Sequence, residues 1–238
     1  MITLFISDLH LEGNRPHIAQ RFVRFLQEDA VRADALYILG DLFEAWLGDD
    51  VIVPEVQPIM QALRATSAAT PVYLMHGNRD FLLGEGFAEA TGVHLLPDPS
   101  VIDLYGTPTL LMHGDSLCTD DAQYQQFRAM VRDPAWQAQA LALNPEARIA
   151  KARELRAMSR EANTMKAEDI MDVNADAVVA VLREHGVRRL IHGHTHRPAH
   201  HTLSVDGAPA ERWVLKDWDT EGGVLECDAA GCRARTLD

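Results

Sequence analysis

The sequence is poor in cysteine and in basic residues, and it lacks any long hydrophobic run. Its three cysteines, Cys118, Cys227 and Cys232, are an odd number without the spacing of a disulfide framework, which favours a reducing compartment. No window approaches the ~20 apolar residues that span a bilayer, and the first residues lack the basic start of a signal peptide. Only 22 Lys and Arg stand against 35 Asp and Glu, and the net charge of −13 argues against general nucleic-acid binding. These absences predict an acidic, soluble protein of the cytosol.

Short β-branched apolar runs alternate along the chain with segments of helical periodicity, which is typical of an α/β fold. The 238 residues, 47% of them hydrophobic, are enough to bury a sizeable core. The runs are unbroken rather than alternating in polarity, so both faces of the strands are predicted to be covered. The predicted strands are Thr3–Ile6, Ala35–Leu39, Val72–Met75, Thr109–Met112 and Arg189–Ile191. The predicted helices are Ala19–Asp29, Pro54–Ala65 and Ala175–His185, and a terminal meander of strands is predicted over residues 198–238.

Each of these five strands is followed by a carboxylate, amide or imidazole with a glycine close by. In open α/β sheets the ligand crevice lies beyond the carboxyl ends of the strands, so we expect the five loops to converge. Asp8 and His10 are two residues apart, as are His194 and His196, and in an extended segment such side chains point the same way. Each pair is therefore expected to bind one ion. The seven candidate ligands are Asp8, His10, Asp41, Asn78, His113, His194 and His196.

This ligand set is too large for one tetrahedral ion and suits two ions, ~3.5–4 Å apart, that share a bridging carboxylate. Oxygen and imidazole donors without thiolate favour Mn²⁺, Fe, Co²⁺ or Zn²⁺ over a structural zinc site. Each motif alone is weak, because Asp-x-His is usually a surface pair and Gly-Asp is usually a turn. The ordered occurrence of five such motifs at strand ends is what indicates a binuclear metal centre.

In this order, D-x-H, G-D, G-N, H-G-D and G-H-x-H resemble the calcineurin-like metallophosphoesterase superfamily over residues 8–196. The resemblance implies an α/β fold, a two-sheet β-sandwich flanked by helices. It implies one ion held by Asp8, His10, Asp41 and His196, and a second held by Asp41, Asn78, His113 and His194. Asp41 then bridges the ions. His76 and His192 fall outside the motif positions and are expected to pack, and Cys118 is expected to be a small buried residue near the site.

Arg79 follows Asn78, at the position where many members that cleave phosphomonoesters carry a histidine. Arginine cannot donate a proton at any useful pH, but its planar fork binds a phosphate bidentately. This exchange favours a leaving group that needs little protonation, such as a phosphate of a pyrophosphate bond. The alternative is a structural salt bridge between Arg79 and Asp80.

The stretch between Asp115 and Gly193 is predicted to be mostly helical. Residues 146–166 carry six Arg and Lys against three Glu, in an otherwise acidic chain. An apolar stripe runs through this stretch at Leu155, Met158, Ala162 and Met165. Such an insertion beside a phosphatase site suits a substrate with both phosphates and acyl chains, and the alternative is an ordinary amphipathic helix pair. We predict one domain over residues 1–238, with a helical lid inserted over residues 120–170.

Longer segments, including LYILGDLFEAW (36–46), HGNRDFLLG (76–84), SREAN (159–163) and HGHTHRP (192–198), resemble the UDP-2,3-diacylglucosamine pyrophosphatase family. The resemblance implies a hydrolase of lipid A biosynthesis that gives UMP and 2,3-diacylglucosamine 1-phosphate with two Mn²⁺ per chain. A metal-bridged hydroxide is expected to attack the α-phosphorus. Peripheral association with the cytoplasmic face of the bacterial inner membrane is implied, without a nucleic-acid or protein partner. The implied catalytic residues are Asp41, Asn78 and Arg79, and the implied substrate contacts are Asn78, Arg79, Asp121, Ser159, Asn163, Lys166 and His194.

Two other functions stay open at this point. One is a phosphoesterase of different specificity, such as a cyclic-nucleotide phosphodiesterase or a protein phosphatase, against which Arg79 and the insertion argue. The other is a non-catalytic scaffold on the same fold, against which the complete ligand set argues. Lys216 departs from the family pattern, which has a small residue there, and this concerns the end of a strand rather than the chemistry.

Overall fold

The computed structural model is a sandwich of two mixed β-sheets. It describes residues 1–164 and 172–237, with the side chains of residues 1–157 and 172–237. The first sheet contains β1 (Thr3–Ile6), β2 (Ala35–Leu39), β3 (Val72–Met75), β4 (His94–Leu96), β10 (Gly222–Asp228) and β11 (Gly231–Leu237), in the order β11-β10-β1-β2-β3-β4. The second contains β5 (Ser100–Leu104), β6 (Thr107–Met112), β7 (Arg189–His192), β8 (Ala199–Val205) and β9 (Ala208–Val214), in the order β5-β6-β7-β9-β8. The predicted two-sheet α/β fold is confirmed.

Seven helices of the described residues flank the sheets or form the insertion. They are α1 (Pro16–Glu28), α2 (Gln57–Ser67), α3 (Glu85–Thr91), α4 (Ala122–Val131), α5 (Pro134–Leu141), α6 (Pro145–Thr164) and α7 (Ala175–Glu184). Helices α1 to α3 pack on the first sheet, and α7 packs on the second. Helices α4 to α6 lie between β6 and α7 along the chain, inside the predicted lid. None of the described helices is long and apolar enough to cross a membrane.

Strand β1 shows why the apolar runs are unbroken. Leu4 and Ile6 are buried in the core beneath the helices, whereas Phe5 is buried between the two sheets. Successive side chains of a strand point to opposite faces, so a strand covered on both faces needs apolar residues at every position. This expectation of covered strands is confirmed.

Two local expectations are wrong in detail. The predicted helix at Pro54 begins as a 3₁₀ turn, and α2 starts only at Gln57, because Pro58 lacks an N–H and is favoured in the first turn. The terminal segment is not one meander, since the β8–β9 hairpin joins the second sheet and the β10–β11 hairpin joins the first. The chain crosses between sheets near Trp218, which is fully buried against α1. Lys216, in this crossing, pairs with Glu221 at 2.7 Å.

The number and spacing of the cysteines did not predict the disulfide that the structure contains. Cys227 and Cys232 stand opposite each other in the β10–β11 register and form a disulfide. Spacing rules for disulfide frameworks miss this pair because the hairpin register, and not a repeated pattern, brings the sulfurs together. Cys118 is a buried thiol, as expected.

Candidate metal centre and substrate cavities

The loops after β1, β2, β3, β6 and β7 meet at one edge of the sandwich and bring the seven predicted ligands together. Three of these strands belong to the first sheet and two to the second. The centre therefore lies across the sandwich rather than in a crevice of one open sheet. Asp8, Asp41 and His113 are each at most 2% exposed, so the ligands form a mostly buried cluster.

The backbone of the ligands is not extended, which corrects the expectation for the two spaced pairs. Asp8, His10, Asp41, His194 and His196 all have positive φ angles, between 49° and 71°. Non-glycine residues rarely adopt this left-handed conformation, and it concentrates at functional sites where surrounding structure enforces it. As a result, the side chains of His194 and His196 are directed to different parts of the cluster. His196 Nε2 lies 3.2 Å from His10 Nε2, whereas His194 Nδ1 lies 3.0 Å from Asn78 Oδ1.

One half of the cluster consists of Asp8, His10 and His196. The ligand atoms of Asp8, His10 and His196 lie within 4.8 Å of one another. Asp8 Oδ1 is buried, has no hydrogen-bond partner among the described residues, and lies 3.5 Å from His196 Nε2. Burying an unsatisfied carboxylate oxygen is costly unless a cation or donor approaches it. Carboxylates and imidazoles aimed at a common point fit a divalent transition-metal ion.

The other half consists of Asn78, His113 and His194. Asn78 Oδ1 lies 3.1 Å from His113 Nε2 and 3.0 Å from His194 Nδ1. Asp41 stands between the halves, since its Oδ1 lies 3.8 Å from His113 Nε2 and its Oδ2 lies 3.8 Å from His10 Nε2. Each oxygen of Asp41 thus faces a different half, which is the position that a bridging carboxylate requires.

Surrounding groups hold the ligands in place. His113 Nδ1 donates a hydrogen bond to the Leu39 carbonyl at 2.9 Å, which directs Nε2 toward the cluster. His10 Nδ1 lies 2.9 Å from Glu44 Oε2, which likewise directs Nε2 inward. Such outer partners fix ring orientation and raise the basicity of a ligand.

The cluster shifts the pKa values of its own members. Burial raises the pKa of Asp41 to about 6, although the charges of His113 and His10 oppose this. Burial alone would lower the pKa of His113, but the charge of Asp41 and then that of Asp115 raise it to about 9. Burial, reinforced by the charge of His113, lowers the pKa of His194 to about 3. The metal-free cluster thus holds protons that a cation would replace.

Two glycines of the motifs are required by close approach. A Cβ at Gly77 would overlap the side chain and backbone of Asp41, and a Cβ at Gly193 would overlap Asp8 and Ser7. Only a residue without a side chain lets these loops lie against the carboxylates. The glycines of the H-G-N and G-H-x-H motifs are therefore explained by packing against Asp41 and Asp8.

Two cavities adjoin at Asn78, Arg79 and Tyr124, which line both. The apolar cavity, about 780 Å³, lies under the insertion, and its walls include Trp46, Phe81, Phe127, Trp136, Leu143 and Leu155. The polar cavity, about 930 Å³, contains ligand residues together with Asp121, Thr195 and Arg197. The hydroxyl oxygen of Thr195 is buried and has no hydrogen-bond partner among the described residues. The centre is therefore flanked by one apolar and one polar compartment.

Arg79 does not form the alternative salt bridge among the described residues. The Asp80 carboxylate instead accepts hydrogen bonds from the N–H groups of Leu42, Phe43 and Gly77. Arg79 Nε is buried without a hydrogen-bond partner in the described part of the chain. The guanidinium is thus placed at the junction of the two cavities and keeps donor capacity.

The other predicted substrate contacts are Asp121, Ser159, Asn163 and Lys166. Asp121 lines the polar cavity and caps α4, since its carboxylate accepts from Tyr124 N–H at 3.0 Å. The side chains of Ser159 and Asn163, and Lys166 entirely, lie outside the described residues, as does the predicted stripe beyond Leu155. Their assignments stay predictions.

Sequence reasoning missed Glu44, which contacts both His10 and Arg156. Glu44 lies between His10 and Arg156, and its pKa falls to about 2 because the hydrogen bond with His10 and the charges of Arg79, His10 and Arg156 outweigh the effect of burial. Arg156, one of the basic residues of the insertion, donates to the Glu44 carbonyl at 2.5 Å. The sequence signal for Glu44 was that this residue follows Asp41 by three positions, in the loop after β2. A loop of that length after a strand returns to the cluster.

The chain is similar in sequence to known phosphoesterases. The calcineurin-like phosphoesterase family matches residues 1–198. A UDP-2,3-diacylglucosamine hydrolase of Pseudomonas aeruginosa is 56% identical over 236 residues, which cover 98% of each chain. One of Cellvibrio japonicus is 53% identical over 239 residues, which cover 100% of each chain. A solved archaeal phosphodiesterase aligns over 100% of both chains, with 12% identity and a TM-score of 0.49.

Proposed function

Because this chain belongs to the calcineurin-like phosphoesterase family, we propose that it cleaves the pyrophosphate bond of UDP-2,3-diacylglucosamine to give UMP and 2,3-diacylglucosamine 1-phosphate. Relatives named for the hydrolysis of this substrate match the chain over its full length. The observation that carries the proposal is the pair of unlike cavities that meet at Asn78 and Arg79. A nucleotide joined through two phosphates to a diacyl sugar needs a polar and an apolar compartment on either side of the reacting phosphorus.

The donor set supports two divalent ions, and we propose Mn²⁺. Asp8, His10, Asp41 and His196 would hold one ion, and Asp41, Asn78, His113 and His194 would hold the other. Bound ions of this kind lower the pKa of water, offset the charge of phosphoryl oxygens and orient an in-line displacement. The roles of these residues follow from the fit of the donors described above.

The chain itself supplies binding and orientation. The Arg79 fork would bind a phosphate of the substrate at the junction of the cavities, and it offers charge rather than a proton. A phosphate monoester needs less protonation as a leaving group than an alkoxide does. The absence of a histidine at position 79 therefore fits cleavage of a pyrophosphate bond. The apolar cavity would cover the acyl chains and exclude water from that side, so water reaches the phosphorus from the centre.

We propose that the attack occurs at the α-phosphorus. In this arrangement the UMP part of the substrate lies in the polar cavity, and the lipid phosphate lies toward the insertion. Hydrolysis in ¹⁸O-labelled water is then expected to label UMP. Label found only in the lipid phosphate would exclude this direction of attack.

The function is tested by ³¹P detection of UMP release from UDP-2,3-diacylglucosamine, with and without added Mn²⁺. A phosphomonoester, a cyclic nucleotide and UDP-glucosamine serve as matched alternative substrates. We expect Mn²⁺-dependent turnover and a strong preference for the diacyl nucleotide. Faster turnover of the monoester or of the cyclic nucleotide would instead identify a phosphoesterase of different specificity, and no turnover of any substrate would identify a scaffold.

A substrate with acyl chains resides in a bilayer, and we propose peripheral association with the cytoplasmic face of the bacterial inner membrane. Leu141 and Leu143 are 38% and 41% exposed, and Leu143 also lines the apolar cavity, so an apolar surface adjoins the route that acyl chains would take. Co-sedimentation with phospholipid vesicles tests this. Replacement of both leucines by serine is expected to reduce the bound fraction, and an unchanged fraction would contradict this surface.

A further inference from the structure

Helix α4 opens the insertion and carries two arginines, Arg128 within it and Arg132 at its C-terminal cap, that face the ligand loops. Residues four apart lie on the same face of a helix. Arg128 Nε donates to Asp115 Oδ2 at 2.9 Å, and Asp115 is fully buried two residues after His113. Arg132 Nη2 donates to the Gly77 carbonyl at 2.8 Å, directly before Asn78. Each arginine thus reaches the loop that carries one ligand of the same half of the cluster.

These contacts are not those of a helix merely resting on a surface. Arg132 also lies 3.4 Å from the His76 carbonyl, and its guanidinium carbon stands 5.9 Å from the centre of the Phe81 ring. Both carbonyls belong to the loop between β3 and Asn78. Arginine with two backbone acceptors fixes a loop more firmly than a surface ion pair does, because the fork is planar and pre-organised.

We propose that Arg132, supported by Arg128, is a positioning residue that holds Asn78 and His113 in the geometry needed to bind the second ion. The insertion would then serve two purposes, since it covers the apolar cavity and also completes one half of the metal centre. This inference rests on the proposed two-ion function. It assigns no contact between either arginine and the substrate.

The test measures metal binding rather than turnover. Mn²⁺ affinity and stoichiometry are measured by calorimetry on the full chain, and electron paramagnetic resonance distinguishes a spin-coupled ion pair from an isolated ion. Arg132→Met is expected to weaken the second binding event by about 10- to 100-fold, which is typical for loss of an outer partner. The first event should be unchanged, and the spectrum should shift from coupled to isolated Mn²⁺ at equal metal loading.

Arg132→Lys keeps the charge and one donor, so it is expected to restore part of the second affinity. Arg153→Met, on an exposed arginine of α6, controls for the loss of a cation from the insertion. If Arg132→Met fails to fold by circular dichroism, Arg132→Gln, which removes the charge and is too short to reach the Gly77 carbonyl, carries the test, and wild-type affinity for both ions in it would overturn the inference. Two unchanged binding events in a folded Arg132→Met would also overturn it. A wild-type chain that binds only one ion would refute the two-ion proposal itself, which is a different outcome.

Discussion

Filling the apolar cavity should remove the preference for acylated substrate without touching the metal ligands. Ala152 lines this cavity from α6, and Leu155 lies nearly one turn further along the helix. Ala152→Phe would place a ring where acyl methylenes are expected to lie. If the ring displaces about four methylenes at ~0.8 kcal/mol each, about 3 kcal/mol of binding is lost, or a factor of about 200.

The assay compares kcat/KM for UDP-2,3-diacylglucosamine, a short-chain analogue and UDP-glucosamine. We expect the large loss for the long chains, a smaller loss for the short ones and little change for UDP-glucosamine. Ala150→Phe is the matched control, because Ala150 is exposed on the same helix and lies outside the cavity lining. An unchanged preference in a folded Ala152→Phe, or an equal loss in the control, would refute the assignment of this cavity to acyl chains.

Three further outcomes are expected. Asp41→Ala should lower turnover about 1000-fold or more, since a carboxylate that faces both halves serves both ions, and normal turnover at matched metal occupancy would contradict its bridging role. The pKa values of His10 and His113, raised to about 8 and about 9, mean that both rings are protonated in the metal-free protein at neutral pH. Metal binding should therefore release protons and tighten as pH rises toward 9, which calorimetry in buffers of different ionisation enthalpy can measure, and a pH-independent affinity would contradict it. Burial raises the pKa of the Cys118 thiol to about 12, so it should react with a disulfide reagent only after unfolding, and rapid labelling of the native protein would contradict this.

The elements that the sequence predicted well depend on local information. Strands β1 to β3 were placed at their observed bounds because unbroken apolar runs followed by glycine and polar residues mark both their burial and their ends. The seven predicted ligands lie together in the structure because each follows such a strand. Their order along the chain supplied what a single motif could not.

What the sequence did not reveal depends on contacts between distant segments. Asp8 and His194 have a left-handed backbone where loops from the two sheets meet, with His194 N–H donating to Asp8 Oδ2 at 2.9 Å, whereas spacing alone suggested extended geometry. The Cys227–Cys232 pair requires a hairpin register. Arg132 and Gly77 are separated by 55 residues, so no periodicity in either segment indicates their contact.

The charged residues around the apolar cavity indicate which cation is available to bind a phosphate of the substrate. A chain with net charge −13 repels an anionic nucleotide at long range, so attraction must come from cations within about a Debye length, ~8 Å at physiological salt. Four cations line the cavity: Arg79, Arg148, Lys151 and Arg156. Three of them already pair with acids of the chain, Arg148 with Asp50, Lys151 with Glu154 and Arg156 with Glu44. Arg79 keeps a buried nitrogen without a hydrogen-bond partner among the described residues and stands beside the ligand Asn78. Arg148 and Arg156 therefore attach α6 to the body of the protein, whereas Lys151 pairs within α6, and we expect Arg79 and the metal centre to bind the phosphate.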